Sequence, residues 1–320
     1  MCAYASTHRA QTSVAFEVFV VDNASVDGSA EMVAREYPWV RLLANAANIG
    51  FPRANNQAIP LARGRYVLLL NPDTEPLNGA IDRLVSYLDA HPAAGAAGAR
   101  LEGEDGSIHY AGARSFPTPS NLLWDLLGLS TLLPHSRRFG ASWLRWWDHD
   151  DTRPVPVISG SCMMIRRGPL IQVGMLATDV FMYMEDYELC YRLWRQGQPV
   201  HYVHTARIRH FGGRSSRQLP ERLLPFKLMI DGCLVFMARH YGRRATWTLR
   251  CFLVLAAVTR LALVSGPAAP VVRRRKGSQD FDVFRARTVW LLRRGLGLTG
   301  PLPPIPVPVS PLAGSVMLDE

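Results

Sequence analysis

The sequence predicts an α/β fold built on a doubly wound, mostly parallel sheet. Three observations carry this prediction. Short apolar runs alternate with helical segments at close spacing as far as Ala90. The runs are apolar without alternation, as strands are when both faces of a sheet are covered. They end in polar tips, Asp22-Asn23 and Asn71-Pro72-Asp73, and open α/β sheets bind ligands beyond the carboxyl ends of their strands.

The first run is Val18 to Val21, closed by Asp22-Asn23 and a polar loop through Asp27-Gly28-Ser29. Ala30 to Tyr37 reads as a helix, with Ser29 as its N-cap and Glu31 in its first turn. Val40 to Leu43 is a second strand, and the loop Asn45 to Phe51 leads to a helix over Arg53 to Ala62. Tyr66 to Leu70 is a third strand, followed by a helix from Leu77 to Ala90. The stretch Phe116 to Pro156 is irregular and holds Trp124, Trp143, Trp146 and Trp147. It reads as an insertion with packing aromatics, or as an acceptor-binding surface. Val155 to Ser159 and Cys162 to Arg166 are strand material, Asp186 to Gln196 a helix, and Val200 to Val203 and Arg207 to His210 two short strands.

Beyond Gln218 the character changes. Leu223 to Tyr241 and Trp247 to Val264 are long, mostly apolar helical segments, the second interrupted by Arg250 and Arg260. Both fall short of a clean span of about 20 apolar residues. They fit a pair of interfacial helices whose arginines meet lipid phosphates. The tail from Gly300 carries Pro301, Pro303, Pro304, Pro306 and Pro308 and is expected to be extended. The division expected is 1–217 for a catalytic domain, 218–299 for a helical membrane-proximal appendage, and 300–320 for the tail.

Composition narrows the function. The net charge is +10, with basic residues crowded into the second half. Such a balance suits anionic lipid or a phosphate-bearing substrate. Zinc-finger spacing and aromatic RNA-reading motifs are lacking, so no nucleic-acid partner is expected. The five scattered cysteines form no CxxC pair, which fits a reducing compartment without a disulfide framework.

Three groups of residues are suited to chemistry. Asp73, just past an apolar strand, can hold a hard divalent cation that bridges phosphate oxygens; Asn-Pro-Asp is also ordinary turn sequence. Glu185, Asp186 and Glu188 open a helix directly after an apolar, aromatic stretch. Acidic residues compensate a helix dipole there, but a carboxylate among apolar side chains also acquires a raised pKa and can act as a general base. His210 precedes Phe211-Gly212-Gly213-Arg214-Ser215-Ser216, whose glycines permit close backbone approach and whose arginine and serines suit phosphate oxygens. Asn48-Ile49-Gly50-Phe51 with Asn55-Asn56 has a similar character.

In their order along the chain these residues resemble the family 2 inverting glycosyltransferases. Val20 to Ser29, and Asn48-Ile49-Gly50-Phe51 with Asn55-Asn56, resemble the family's nucleotide-binding segments. Leu70-Asn71-Pro72-Asp73-Thr74 resembles its Asp-x-Asp metal region, with Asn71 at the place of the first Asp. Ser159 to Arg167 is similar to the strand lining the acceptor side, Phe181 to Arg192 to the Glu-Asp catalytic helix, and His210 to the late metal-binding histidine. The likeness runs from about residue 17 to 217 and is nearest to the rhamnosyltransferase-like subgroup.

The resemblance implies a GT-A-type fold and transfer of a sugar from a nucleotide-diphosphate donor to a glycan or lipid-linked glycan. Asp22 and Asn23 would contact the base or ribose, and Asn48, Gly50, Asn55 and Asn71 would shape the nucleotide-sugar site. Asp73 and His210 would hold Mn²⁺ or Mg²⁺, and Asp186, assisted by Glu185, would be the catalytic base. An anionic membrane surface is expected as a partner, at the cytoplasmic face of the plasma membrane. Because Met1 to Phe16 holds no apolar run, the family's first strand is expected to be absent. A non-catalytic nucleotide-binding or membrane-docked protein of the same fold is the alternative.

Overall fold

A computed structural model describes residues 12–211, 221–266, 270, 274, 278–300 and 302. Its first half is a succession of strands and helices: β1 (Phe19–Asp22), α1 (Ser29–Glu36), β2 (Arg41–Ala44), α2 (Phe51–Ala58), β3 (Tyr66–Leu70), β4 (Thr74–Leu77), α3 (Ala80–Ala90) and β5 (Ala96–Glu102). A less regular stretch holds β6 (Ala113–Arg114), α4 (Pro119–Leu127), α5 (Leu129–Leu132), β7 (Arg153–Val155) and β8 (Val157–Ile158). Then come β9 (Cys162–Arg166), α6 (Arg167–Gln172), α7 (Glu185–Arg195) and β10 (Val200–His210). Three helices follow, α8 (Leu224–Phe236), α9 (Gly242–Ser265) and α10 (Ser278–Gly295).

The central sheet has the order β3-β9-β5-β10-β4, and β7 also pairs with β10. It is mixed rather than mostly parallel. β10 runs parallel to β5, but β9 is antiparallel to both β3 and β5, and β4 and β7 are antiparallel to β10. The physical reason lies in the connections. Parallel neighbours need a crossover of a dozen or more residues, commonly a helix, and α3 and α7 lead into β5 and β10. β9 instead arrives from the irregular insertion and enters in the opposite sense. The two short strands expected at the end of the core are one strand, β10, with an irregularity between Val203 and Arg207. Its first part pairs with β7 and its last part with β4.

β1 and β2 form a separate two-stranded parallel sheet, with Asp22 opposite Ala44. Among the described residues no strand precedes Phe19. The expectation of an absent first strand also concerns residues 1–11, which lie outside the described residues, as do Gly212 to Ser216 and the proline-rich stretch after Leu302.

Alternation along the central strands divides the core. Met163 and Ile165 of β9 join Ile158, Leu189, Leu193 and Tyr202 on one face. Cys162 and Met164 join Leu84, Leu88, Ala97, Ala99, Leu101 and Ile208 on the other. Thus α7 covers one face and α3 the other. A third cluster joins Met184, at the head of α7, to Ile230, Leu234 and Phe236 of α8, Leu249 and Leu253 of α9, and Leu291 of α10. The C-terminal helices therefore pack onto the α/β core. Arg260, expected at a lipid surface, is buried and stacks over the Phe284 ring at 4.1 Å. It lies on the side of α9 that meets α10, opposite the exposed face.

Arg166 closes the edge of the core opposite the polar strand tips. Its Nε donates to Ala94 O at 2.8 Å, and its Nη2 donates to His91 O at 3.1 Å and to Leu88 O. One guanidinium thereby satisfies the carbonyls at the end of α3 and the start of the β5 approach. Arg166→Leu is expected to cost about 1.5–3 kcal/mol, the range for hydrogen bonds to a charged group, read as a lower urea midpoint at unchanged m-value. An unchanged midpoint would show that water serves these carbonyls equally well.

Candidate active site

Strand direction gathers the functional residues at one edge of the sheet. Leu70 lies opposite Cys162, so the end of β3 meets the start of β9. His210 lies opposite Thr74, so the end of β10 meets the start of β4. Asn71, Asp73, Gly160, Ser161 and His210 consequently share one rim.

Asp73 and His210 form the first unit. The Asp73 carboxylate is buried, 4% exposed, and its Oδ1 lies 3.5 Å from His210 Nε2. The backbone locks the pair, because Phe211 N donates to Asp73 O at 2.9 Å. A carboxylate oxygen and an imidazole nitrogen are acceptable donors to Mn²⁺ or Mg²⁺, and this spacing lets both reach one ion. The His210 Nδ1 is buried with no hydrogen-bond partner among the described residues. His109 meets His210 edge-on, ring centroids 5.7 Å apart. Burial and the neighbouring His210 both lower the His109 pKa. No cluster of three or more His, Cys, Asp or Glu side chains able to hold a metal occurs among the described residues.

The second unit is the loop after β2. Asn23 organises it through its amide: Nδ2 donates to Asn48 Oδ1 at 2.8 Å and to Gly50 O at 3.3 Å, and Oδ1 accepts from Ile49 N at 3.1 Å. Asn48 Oδ1 also accepts from Gly50 N at 3.0 Å. Asp22 is buried, and its Oδ2 accepts from Ser25 N at 3.0 Å. Gly50 has φ 86°, and a Cβ there would fall 2.5 Å from Phe181 O, so only glycine fits without moving backbone. Phe51 N donates to that same carbonyl at 2.9 Å. Asn55 donates to Phe51 O at 2.9 Å, within its own helix. Asn71 holds the rim together, its N donating to Ser161 O at 3.0 Å and its Nδ2 to Ser161 Oγ at 3.3 Å.

The third unit is the head of α7, where Glu185 and Asp186 are both buried. Asp186 Oδ2 accepts from Gly160 N at 3.2 Å and from Arg114 Nη2, and Oδ1 accepts from Tyr187 N at 2.9 Å. The Arg114 guanidinium stacks over the Tyr187 ring at 4.4 Å. Burial acts to lower the Arg114 pKa, but the Asp186 and Tyr187 side chains raise it on balance. Burial, reinforced by the adjacent Asp186 charge, pushes the Glu185 carboxyl up to about 8. Its Oε2 is buried with no hydrogen-bond partner among the described residues. Holding the Glu185 proton beside Asp186 is one way a site avoids two adjacent like charges.

Three of the predicted groupings come together directly: Asn23 with Asn48 and Gly50, Asp73 with His210, and Glu185 with Asp186. Asn23 joins the Asn48–Gly50 loop from the end of β1, Asp22 beside it accepts from Ser25 N, and Asn55 serves its own helix. Arg114, Gly160 and Ser161 complete the site. Arg114 sits in an irregular stretch with no periodicity or motif to announce it, so only its three-dimensional contact with Asp186 identifies it.

Comparison with known proteins shows the family of the chain. The sequence profile of glycosyl transferase family 2 matches residues 6–174. An N-acetylglucosaminyl-diphospho-decaprenol L-rhamnosyltransferase of Mycobacterium tuberculosis is 32% identical over 262 residues, covering 74% of this chain and 81% of the relative. The rhamnosyltransferase WbbL of Escherichia coli is 25% identical over 177 residues, 52% of this chain and 63% of the relative. Among solved structures, the mannosyltransferase PcManGT from Pyrobaculum calidifontis, in complex with GDP-Man and Mn²⁺, superposes with a TM-score of 0.51. The overlap covers 90% of this chain and 80% of that one, at 16% identity; this likeness speaks to the fold alone.

The raised Glu185 pKa has a consequence for stability. The folded state keeps a proton that the unfolded chain has released once pH exceeds the ordinary carboxyl value of 4.5. Stability from this group is therefore complete below that value and falls as pH rises toward about 8. Glu185→Gln is expected to flatten the pH–stability profile between those limits, measured by urea unfolding at closely spaced pH values. A variant profile as steep as that of the parent would assign the slope to other groups.

Proposed function

Because the chain belongs to glycosyl transferase family 2 and is a rhamnosyltransferase-like glycosyltransferase of GT-A-type fold, we propose that it transfers a sugar with inversion from a nucleotide-diphosphate donor to a hydroxyl of a glycan or lipid-linked glycan. The observation that carries this reading is Asp186, fixed by Gly160, Arg114 and Tyr187 on the rim that also holds Asp73 and His210. Three contacts aim one carboxylate, as a general base requires. With one base, in-line attack inverts the anomeric carbon, and no carboxylate nucleophile is needed. Glu185, neutral at pH 7, assists without adding a second negative charge. The loop held by Asn23, Asn48 and Gly50 receives the nucleotide, with Asp22 toward the base or ribose and Asn71 joining the loop side to the acceptor side.

Asp73 and His210 are the residues that would hold Mn²⁺ or Mg²⁺, together with diphosphate oxygens. Such an ion stabilises the charge that develops on the leaving diphosphate. The name of the mycobacterial relative suggests an acceptor in which a sugar is joined through a diphosphate to a polyprenol, and so a role in cell-surface polysaccharide assembly.

We also infer peripheral docking at the inner face of the plasma membrane. The helical stretch Leu224–Ser265 contains an 18-residue window of mean hydropathy 1.7 and is long and apolar enough to cross a membrane by length and composition. α9 breaks from α8 at Gly242, and its exposed face carries Trp247, Cys251, Leu255 and Val258 at helical spacing. Trp247 and Val258 are 71% and 53% exposed. Arg243 and Arg244, both exposed, stand at the head of that stripe. An apolar face with cations at its end suits an interfacial helix on anionic lipid.

Turnover is tested with Mn²⁺, a panel of dTDP-, UDP- and GDP-sugars, and a lipid-linked N-acetylglucosaminyl diphosphate. Asp186→Asn is expected to lower kcat by about 10²–10⁴-fold, the usual contribution of a general base, while nucleotide-sugar binding persists. Full turnover in that variant would remove Asp186 as the base. Nucleotide binding without turnover in the parent protein, across that panel, would favour a non-catalytic role. For docking, the double variant Leu255→Glu/Val258→Glu is expected to lose co-sedimentation with phosphatidylglycerol vesicles. Undiminished binding would place the lipid contact elsewhere.

A further inference from the structure

The turn that delivers the two carboxyls is strained, and its restraint comes from outside the α/β core. Tyr183 and Met184, the last residues before α7, have φ 67° and 71°. Consecutive non-glycine residues in the left-handed region carry a conformational cost and persist only where their surroundings impose it. Of the two, Met184 is buried and caps α7.

What surrounds Met184 is α8. Gly232 leaves a notch in that helix, into which Met184 fits. A Cβ on Gly232 would lie 2.9 Å from Met184 Cβ, 2.8 Å from Met184 Cγ and 3.3 Å from Tyr183 O. These atoms lie next to the backbone, so the turn itself would have to move. The neighbouring Cys233 Sγ lies 3.7 Å from Met184 Sδ, and Ile230 and Leu234 close the same cluster.

The contact continues one turn down α7. Glu188 is buried, and its carboxylate accepts from Arg192 Nε at 2.9 and 2.8 Å. Arg239 Nη1 donates to it at 3.2 Å, and His240 Nε2 lies 3.2 Å away. Arg239 and His240 belong to a single widened π-helical turn, Met237–Tyr241, at the end of α8. A lone widened turn in a helix commonly marks a functional position. Here it carries two side chains to one carboxylate. Farther along, Tyr191 packs against Phe236, His240 and Tyr241. Met184, Glu188 and Tyr191 lie along one face of α7, and α8 with its last turn meets all three.

We propose that Gly232 is a positioning residue for the transfer reaction. Its notch seats the Tyr183–Met184 turn and so sets where the Asp186 and Glu185 carboxyls stand. This rests on the reading of Asp186 as the base. The C-terminal helices then complete the catalytic site in addition to any role at a membrane. Glu188, by contrast with its two acidic neighbours, belongs to the fastening of α7 and stays out of the chemistry.

The test is a two-residue cycle in the full chain. Gly232→Ala is expected to lower kcat by about ten- to hundred-fold, as displacement of a reacting group does, with the donor KM nearly unchanged. Met184→Gly removes the side chain that Gly232 accommodates and relaxes the left-handed position. In that background Gly232→Ala is expected to change kcat by less than about two-fold, because the coupling has been removed. An undiminished kcat in Gly232→Ala, or an equal loss in both backgrounds, would overturn the proposal. Amide hydrogen exchange over residues 183–188 reads the same cycle without substrate: faster in Gly232→Ala, and unaffected by that change when Met184 is glycine. It also decides the matter if Gly232→Ala alone is too unstable for kinetics, since the two Met184→Gly proteins are then compared with each other. Asp186→Asn, assayed alongside, separates the two readings. If Asp186→Asn is inactive but Gly232→Ala is unperturbed in both kcat and exchange, only the notch is wrong. If Asp186→Asn turns over normally, the base assignment fails and the proposal with it.

Discussion

The site depends on holding two carboxyls side by side at the head of a helix that is covered on both sides. Leu189 and Leu193 of α7 face the sheet, while Met184 and Tyr191 face the C-terminal helices. Such a location would ordinarily strip both carboxyls of charge. The protein resolves this unequally. Arg114, the Gly160 amide and the Tyr187 amide serve Asp186, whereas Glu185 keeps its proton to a pH near 8. One carboxyl is surrounded by donors, and the charge of the adjoining one is suppressed. The rest of the rim, with Asp73 and His210 joined across β4 and β10, is organised around the same sheet edge.

Much of this was legible in the sequence where local signals and tertiary needs agree. Tyr66 to Leu70 is a strand by composition and in fact, and the Glu185–Arg195 helix announces itself by its acidic first turn and the Leu189–Leu193 spacing. The predicted groupings Asp73 with His210 and Glu185 with Asp186 rested on family likeness more than on physics, since nothing local to His210 says that β10 will lie beside β4. The misses have physical causes. β5, at the centre of the sheet, is Ala-Ala-Gly-Ala-Arg-Leu-Glu, a composition with weak strand propensity. It is a strand because small side chains are needed where Ile158 crosses over Gly98. The antiparallel entry of β9 follows from the route of an irregular insertion, which no periodicity records. Arg114 lies in the short strand β6 just before that insertion, where no periodicity or motif announces it.

The helices after residue 221 read as an appendage when judged by hydropathy alone. Packing alters that picture. Arg260 breaks the apolar run in the sequence, yet it is buried over Phe284 on the inner side of α9. The outer side keeps an unbroken stripe from Trp247 to Val258. α9 thus turns Arg260 toward protein and its apolar stripe outward, with Arg243 and Arg244 exposed at its head. The same unit contributes Gly232, Arg239 and His240 to the support of α7.

The contact between Gly50 and Phe181 bears on how this scaffold could be re-engineered. The loop that holds Gly50 and the turn that holds Phe181 are far apart in sequence, yet the carbonyl of Phe181 accepts from Phe51 N and leaves no room for a Cβ on Gly50. Each segment takes part of its shape from the other. A chimera that imported residues 45–51 from a relative would arrive without the backbone it leans on. The two segments form one exchangeable module, and a swap has to carry both halves or keep both.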